Sequence, residues 1–428
     1  MYYPVLRTNA QKQIKRIGEA DLVIGLPSHK NAAVAAHVAR VALEGVHQYY
    51  PELRTVLVNA DAGFRATTRR AVAAQAFGNG HNCTVVTGRY DGALGQGNAI
   101  AALLDAALAL DAKAIIILDS NTASIAPHWI AGLAHLILEN KADFVIPRYQ
   151  WDLPEGALSD LIVYPLFRAL WGWSVRHPAA PDFALSPRLA TAFLDEDVWG
   201  TEVASFGLPP WLTTYAVLGD WQVAQSALGE KQSGSNGVET KTQPALPSSP
   251  GESFKDLFQS TISVMLRLIF DNQERWNDID VFRSLSTLTE FTPELRSNPI
   301  LEMDPTPLLD ALALGWIEYR TLWQRILTPE NLTQIEALAA LPPDQFYFPP
   351  DLWARIIYDF AVVFNKGLSD PAQVVNALFP LYQGRLAAFR REIAGLALVG
   401  CEGTVAAQAV EFEEARSYLK IRWQTYQY

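Results

Sequence analysis

The feature that most constrains the fold is a strict alternation of short β-rich runs with longer alanine-rich stretches between residues 21 and 147. The β-rich runs are DLVIGL, RTVLVNA, CTVVTG, AIIIL and ADFVIP, and helical patterns separate them at 32–48, 65–77, 97–110 and 127–140. Such alternation predicts βαβ units and a mostly parallel sheet. Because the runs are continuously apolar, we expect helices on both faces of this sheet. The sequence therefore predicts an α/β domain.

The rest of the chain has a different composition. Residues 150–228 are rich in Trp and Pro and are predicted to complete the sheet domain, whereas 229–253 is polar, rich in Gly, Ser and Pro, and typical of a flexible linker. From Phe254 onward, apolar residues recur at helical spacing. The predicted organisation is an N-terminal extension over 1–20, an α/β domain over 21–228, a linker over 229–253 and an α-helical domain over 254–428.

Charge and cysteine content narrow the classes of partner. The formal net charge of -11 argues against nucleic acid or anionic lipid as a general partner, since both need a basic field. Cys83 and Cys401 fit no metal spacing and are expected to be free thiols in a reducing compartment. The apolar window at 161–173 is too short to span a bilayer, and no secretory signal is recognisable. We therefore expect a cytoplasmic protein without a transmembrane segment.

Polar residues stand where the predicted strands end. In parallel α/β sheets, ligands bind beyond the carboxyl ends of the strands. The run AIIIL leads directly into Asp119, and a carboxylate in this position can hold a divalent cation that bridges the phosphates of a nucleotide. The alternative is that Asp119 only terminates its strand or caps the following helix.

A glycine cluster precedes the third helical stretch. Gly92, Gly95 and Gly97 could let backbone N–H groups meet a diphosphate at the helix N-terminus. Their spacing is not that of the dinucleotide-binding fingerprint, and an ordinary loop is the alternative.

Asp182 lies in an irregular segment before a predicted helix that begins near Ser186. A carboxylate there could orient an acceptor hydroxyl or act as a base. The alternative is that it accepts hydrogen bonds from nearby backbone. The sequence contains no HExxH, GxSxG or Walker motif, which disfavours zinc proteases, α/β-hydrolases and P-loop nucleotidases.

Taken together, these segments resemble GT-A type nucleotide-sugar glycosyltransferases of the family 2-like kind. The resemblance is to the group that contains mannosylglycerate synthase and glucosyl-3-phosphoglycerate synthase, and it covers roughly residues 20–232. The matching segments are GLPSHKN, LVNADAG, LGQGNAI, LDSNTASIAPHWI and RHPAAPDFALSPRLA. The resemblance implies a GT-A, Rossmann-like sheet, a nucleotide-diphosphate sugar as donor and a small or lipid-linked hydroxyl acceptor.

The resemblance also implies a role for individual residues. Pro27, Ser28 and Asp61 would line the nucleoside pocket. Gly95, Gly97 and Asn98 would face the donor. Asp119 and Asn121 would hold a divalent cation, Mg²⁺ or Mn²⁺, and Asp182 would approach the acceptor or the transferred sugar. If the chain is an active enzyme, basic residues such as Lys30, Arg89 or Arg148 would face the diphosphate.

The sequence departs from the family pattern where charge is needed. Asn121 stands where relatives have a second acid, Gln96 stands near the place of a Lys or Arg, and Lys231-Gln232-Ser233 replaces a Lys-x-His ligand. Loss of a carboxylate weakens the attraction for a cation, so we expect any metal to bind weakly. Two classes of function therefore remain, a sugar-transferring enzyme and a catalytically silent glycosyltransferase-like protein that acts as a binding or scaffold module.

Overall fold

The structure is a computed structural model that describes residues 3–29, 31–76, 82–151, 153–204, 207–234, 254–279, 281–291 and 304–427. The chain divides into two compact units. The first contains residues 1–155, 177–261 and 285–294, and the second contains 156–176, 262–284 and 295–428. The segment 156–176, which we predicted within the α/β domain, thus belongs to the second unit.

The first unit is built on an eight-stranded sheet. Its strands are β1 (Leu22–Ser28), β2 (Thr55–Asp61), β3 (Cys83–Gly88), β4 (Ala114–Ile117), β5 (Phe144–Trp151), β7 (Phe183–Leu185), β8 (Val223–Lys231) and β10 (Thr287–Leu288). The strand order is β10-β8-β5-β7-β4-β1-β2-β3. All neighbouring strands are parallel except β7, which is antiparallel to β4 and β5.

Helices cover this sheet, as the continuous apolar runs predicted. They are α1 (Thr8–Ile17), α2 (Ala32–Tyr49), α3 (Thr67–Ala73), α4 (Gln96–Ala109), α5 (His128–Leu138), α8 (Pro187–Leu194) and α9 (Leu208–Leu218). Every residue of β1, β2 and β4 is buried. Burial on both faces explains why these strands contain few polar residues before their carboxyl ends.

Strand β8 corrects one predicted boundary. It continues to Lys231, so residues 229–231 lie in the sheet and not in a linker. Tyr149, Gln150 and Trp151 of β5 pair with Gly229, Glu230 and Lys231, respectively. Residues 232–234 are also described, and Ser233 forms an isolated antiparallel bridge with Thr122, whereas 235–253, the rest of the predicted linker, lie outside the described residues.

The second unit is mainly α-helical. Helices α6 (Leu153–Leu158) and α10 (Phe254–Asp271) begin in the first unit and end in the second. The others are α7 (Tyr164–Trp171), α11 (Gln273–Asn277), α12 (Thr306–Ile326), α13 (Pro329–Ala339), α14 (Pro350–Lys366), α15 (Pro371–Ile393), α16 (Leu398–Glu414) and α17 (Arg416–Thr425), with a π-helical turn at Ser159–Val163 and a two-stranded sheet of β6 (Trp173–Ser174) and β9 (Arg283–Ser284).

The second unit has its own core. Helices α14 and α15 supply many of its buried side chains, among them Trp353, Tyr358 and Tyr382, none of which is exposed. Helices α13, α14 and α15 each begin with a proline. The first N–H of a helix has no intrahelical partner, so a proline at this position loses no hydrogen bond. The predicted fold class, a mostly parallel α/β sheet followed by an α-helical carboxyl-terminal region, is confirmed. None of the helices that the structure describes is long and apolar enough to cross a membrane.

Candidate functional site

The antiparallel strand β7 brings two distant aspartates together. Ile117, the last residue of β4, pairs with Phe183, the first residue of β7. Residues that come after β4 therefore lie beside residues that precede β7. The backbone N–H of Asp119 donates to Oδ1 of Asp182 at 2.7 Å. Both carboxyls are buried, with exposed fractions of 4% for Asp119 and 0% for Asp182.

The ammonium of Lys231 lies between these two carboxylates. Its Nζ is 2.5 Å from Oδ2 of Asp182 and 3.5 Å from Oδ2 of Asp119. It also donates to Oγ1 of Thr122 at 2.9 Å. The side chain is only 2% exposed. Because a buried ammonium needs anionic partners to offset its lost hydration, the two aspartates explain how lysine is tolerated at the end of β8.

Aromatic rings enclose this Asp119–Lys231–Asp182 cluster. The Tyr149 hydroxyl donates to Oδ2 of Asp182, and Lys231 Nζ lies 5.1 Å from the Tyr149 ring centroid and 5.9 Å from that of Trp129. Burial raises the pKa of Tyr149 well above its ordinary value, and the nearby carboxylates raise it further. Burial also raises the pKa of Asp119, an effect that the Lys231 charge opposes and the Asp182 charge reinforces.

Asn121, the third residue of the Asp-Ser-Asn sequence, is engaged by protein groups. Its side-chain Oδ1 accepts a hydrogen bond from Nδ2 of Asn31, and its backbone N–H donates to Oδ1 of Asp119 at 3.0 Å. The backbone N–H of Gly234 donates to its carbonyl at 2.7 Å. In contrast, the buried Oδ1 of Asn31 has no hydrogen-bond partner among the described residues.

These contacts do not fit a divalent cation. The predicted ligands, Asp119 and Asn121, direct their side-chain oxygens at protein donors, and a lysine ammonium already neutralises charge between the two carboxylates. Within the described ranges, no group of three or more His, Cys, Asp or Glu side chains could hold a metal ion. A hard cation would have to displace Lys231 from both aspartates.

A second polar cluster forms where β1 and β2 end. Asp61 is fully buried and accepts from the Gly63 backbone at 3.0 Å and from Ser28 Oγ at 3.4 Å. Arg69 Nη1 lies 2.7 Å from its other oxygen. Burial raises the pKa of Asp61, whereas these hydrogen bonds and the Arg69 charge lower it. Pro27 lies in β1 opposite Ala60, so the residues predicted for a nucleoside pocket do meet, though Asp61 is already paired.

The glycine turn holds the start of α4. Gly92 adopts φ +93°, a conformation that favours glycine. The Tyr90 hydroxyl contacts both backbone groups of Gly95, and Asn98 Nδ2 donates to the Ala93 carbonyl at 3.0 Å. A Cβ built on Gly97 would lie 2.3 Å from the backbone oxygen of Ala204. Gly97 thus permits close packing of α4, a function separate from its predicted contact with a donor.

We expect Gly97→Ala to lower the free energy of unfolding by about 1–3 kcal/mol, because a backbone carbonyl must move to admit the methyl group. Thermal unfolding compared with Gly200→Ala measures this effect, since a Cβ on Gly200 would meet nothing within 4 Å. Equal stability of the two variants would contradict the packing assignment.

Three contributors to the cluster around Asp119 were not predicted from the sequence. In the sequence, Lys231 is recognisable only as part of the altered ligand motif Lys231-Gln232-Ser233. No sequence pattern assigns a role to Thr122 or Tyr149. The available signal was a single lysine at the end of the mostly uncharged run VAQSALGEK. A buried lysine implies acidic partners, but the sequence does not say which ones.

Comparison with solved structures finds similarities at low identity. The chain is similar to glucosyl-3-phosphoglycerate synthase from Mycobacterium tuberculosis in complex with Mn²⁺, UDP and glucosyl-3-phosphoglycerate, at 16% identity and TM-score 0.41, over 62% of this chain and 85% of that chain. A complex of that synthase with Mn²⁺, UDP-glucose and glycerol 3-phosphate gives 17% identity, TM-score 0.41 and coverages of 63% and 85%. A mycobacterial protein is similar at 16% identity and TM-score 0.41, over 65% of this chain and 84% of that chain.

The similar synthase belongs to the same group that the sequence resembles. No protein-family model and no curated protein matches this chain. The bound nucleotides and Mn²⁺ belong to the similar structures, so a function for the present chain has to be inferred from its own residues.

Proposed function

We propose that this chain binds a nucleotide-diphosphate sugar at the carboxyl edge of its sheet and transfers the sugar to a hydroxyl acceptor without a tightly held divalent cation. The observation that supports the proposal is the convergence of polar side chains at the ends of β1, β2 and β4, with Lys231 as a fixed cation between Asp119 and Asp182. Parallel α/β sheets bind ligands at this edge.

The same edge has unused hydrogen-bonding capacity. The side-chain oxygens of Asn31, Asn59 and Asn98 are buried and lack partners among the described residues. An unsatisfied buried acceptor is costly, and the hydroxyl groups of a ribose or a hexose are suitable donors. These three asparagines lie at the start of α2, in β2 and in the first turn of α4, so they suit a ligand with several hydroxyls.

Catalysis of sugar transfer requires stabilisation of the departing diphosphate. In this proposal, Arg148 supplies that charge. Arg148 is exposed but lies within β5, and not at the strand end where it was predicted. Arg89 directly follows β3 and lines a different cavity, and Lys30 lies outside the described residues. Lys231 has a different role, since its contacts with Asp119, Asp182 and Thr122 direct it inward.

One observation favours the catalytically silent alternative. Asp182, the predicted acceptor-side residue, is fully buried, and its two oxygens accept from the Asp119 backbone, Tyr149 and Lys231. A carboxylate with these partners is not poised to take a proton from an acceptor. A binding module would keep the donor pocket and lack turnover.

Calorimetric titration with UDP-, GDP- and ADP-glucose, with Mn²⁺ or with EDTA, tests the proposal. We expect one donor to bind in the micromolar range with an affinity that Mn²⁺ changes by less than about twofold, because the carboxylates are already neutralised. Slow release of glucose from that donor identifies the enzyme, and binding without release identifies the silent protein. A gain of tenfold or more with Mn²⁺, or no binding of any donor, would contradict the proposal.

Asn31→Ala provides the residue-level test. We expect it to weaken donor binding by about tenfold, since it removes an acceptor for a ligand hydroxyl. Asn82→Ala, an exposed asparagine of the same unit, is the matched control and is expected to leave the affinity unchanged.

A further inference from the structure

A basic cavity lies at the edge of the sheet, at the carboxyl end of β3. Strand β3 is the last strand in the sheet order. The cavity has a volume of about 520 Å³ and is lined by residues from the start of α1, from α3 and from the end of β3. Four arginines, Arg7, Arg69, Arg70 and Arg89, contribute to its wall, and none of the residues of the Asp119–Lys231–Asp182 cluster does.

The charge of this cavity is not fully compensated. Arg7 pairs with Asp91 at 3.1 Å, and Arg69 pairs with the buried Asp61 at 2.7 Å. Arg70 and Arg89 form no ion pair with any carboxylate in the part of the chain that the structure describes. Among the described residues, two positive charges at this site therefore have no opposing carboxylate, in a chain whose formal net charge is -11.

Arg89 packs against an aromatic ring. Its guanidinium carbon lies 4.5 Å from the centroid of the Phe64 ring, a cation–π contact. Its Nε is buried and has no hydrogen-bond partner among the described residues. A guanidinium that is fixed by an aromatic face keeps its planar set of N–H donors available to a phosphate, which it can bind in a bidentate manner.

The N-terminus of α1 adds a second source of positive potential. Helix α1 is ten residues long, and Thr8, Asn9 and Ala10 of its first turn line the cavity. That turn contains no acidic residue, and Arg7, at the cap position, makes no side-chain hydrogen bond to the helix amides. The helix dipole and its N-terminal amides favour an anion at this place.

We propose that this cavity binds the terminal phosphate of a small phosphorylated molecule, at a site separate from the Asp119–Lys231–Asp182 cluster. The volume is in the range of small-molecule sites, which excludes a bulky polyanion as the best fit. Two unopposed guanidinium groups match the charge of a phosphate dianion. The phosphate can be carried by a nucleoside diphosphate or by a small phosphomonoester, and both present the same terminal group to the arginines.

Titration calorimetry with glycerol 3-phosphate and with UDP, each without added metal, tests the proposal on the full chain. We expect saturable binding of at least one probe below about 1 mM. The variant Arg70→Gln/Arg89→Gln is expected to weaken that binding by at least about tenfold, because it removes both unopposed charges. Arg40→Gln, which alters an exposed arginine on α2, is the matched control and is expected to change the affinity by less than about twofold.

The two probes distinguish the source of the phosphate. Weaker binding of glycerol 3-phosphate alone in the double variant identifies a phosphomonoester site, and weaker binding of UDP alone identifies a nucleotide site. Loss of both shows that the phosphate itself is recognised. Absence of saturation with either probe, or equal affinities in the double variant and in Arg40→Gln, would overturn the proposal. The donor test with Asn31→Ala is independent of these outcomes.

Discussion

Lys231→Met is expected to lower the free energy of unfolding by about 3–5 kcal/mol, because it leaves two buried carboxylates without their shared cation. Methionine keeps most of the length of the side chain, so the loss reports charge more than packing. For a domain of this size, the change corresponds to a melting temperature lower by about 6–20 °C. Differential scanning calorimetry of the full chain, in which the two units can unfold separately, measures the effect.

Neutralising one of the two aspartates should restore much of the stability that Lys231→Met loses. The double variant Lys231→Met/Asp182→Asn removes one buried negative charge and is expected to recover more than half of the stability that Lys231→Met loses. Lowering the pH should also reduce the penalty, because the Lys231 charge lowers the pKa of Asp119, and without that charge Asp119 takes up a proton more readily. A Lys231→Met protein as stable as Lys12→Met, which changes an exposed lysine of α1, would show that the ion pairs contribute nothing.

In the second unit, Asp359→Ala is expected to lower the free energy of unfolding by about 3–5 kcal/mol. The truncation leaves several hydrogen-bond donors unsatisfied and one guanidinium without its carboxylate. Asp359 is fully buried in α14, and its Oδ1 accepts from Tyr418 at 2.7 Å and from Arg422 at 3.0 Å. Its Oδ2 accepts from the Thr328 backbone at 3.1 Å and from Asn331 at 2.8 Å.

Asp351→Ala is the matched control for this variant, because it removes an aspartate from the first turn of the same helix. Asp351 pairs with Arg355 at 2.8 Å, but its side chain is 50% exposed, so we expect a loss of no more than about 1 kcal/mol. Chemical denaturation followed by far-ultraviolet circular dichroism compares the two variants. Similar midpoints for both would contradict the role of Asp359 in joining α13, α14 and α17.

The sequence was sufficient to predict the regular part of the first unit. The run CTVVTG is β3 over its full length, and the helical patterns at 32–48 and 97–110 lie within a residue of α2 and α4. The helices are recognisable by the helical spacing of their apolar residues, and the strands by continuous apolar runs that indicate burial on both faces. Both patterns are visible in a single sequence. The helical character of the carboxyl-terminal region was predictable from the helical spacing of its apolar residues from Phe254 onward.

Strand β7 was not predictable in this way. It has only three residues, and its place between β4 and β5 depends on pairing with segments about 40 to 70 positions away. The resemblance did single out Asp119, Asn121 and Asp182, and the structure places Asp119 and Asp182 in contact. The ion pairs of Lys231 with these aspartates could not be inferred from the sequence. They require the end of β8 to lie beside Asp119 and Asp182, whereas residues 229–231 have the composition of a linker.

The short strand β7 also makes the electrostatics of the first unit sensitive to insertion. Successive side chains in a strand point to opposite sides of a sheet, so a single residue added between Asp182 and Phe183 would offset the aspartate from its partners. Lys231 would then pair with Asp119 alone instead of with both Asp119 and Asp182. Length variation at this junction should therefore be tolerated far less than in the exposed turns of the same unit, even though the junction contains no regular helix.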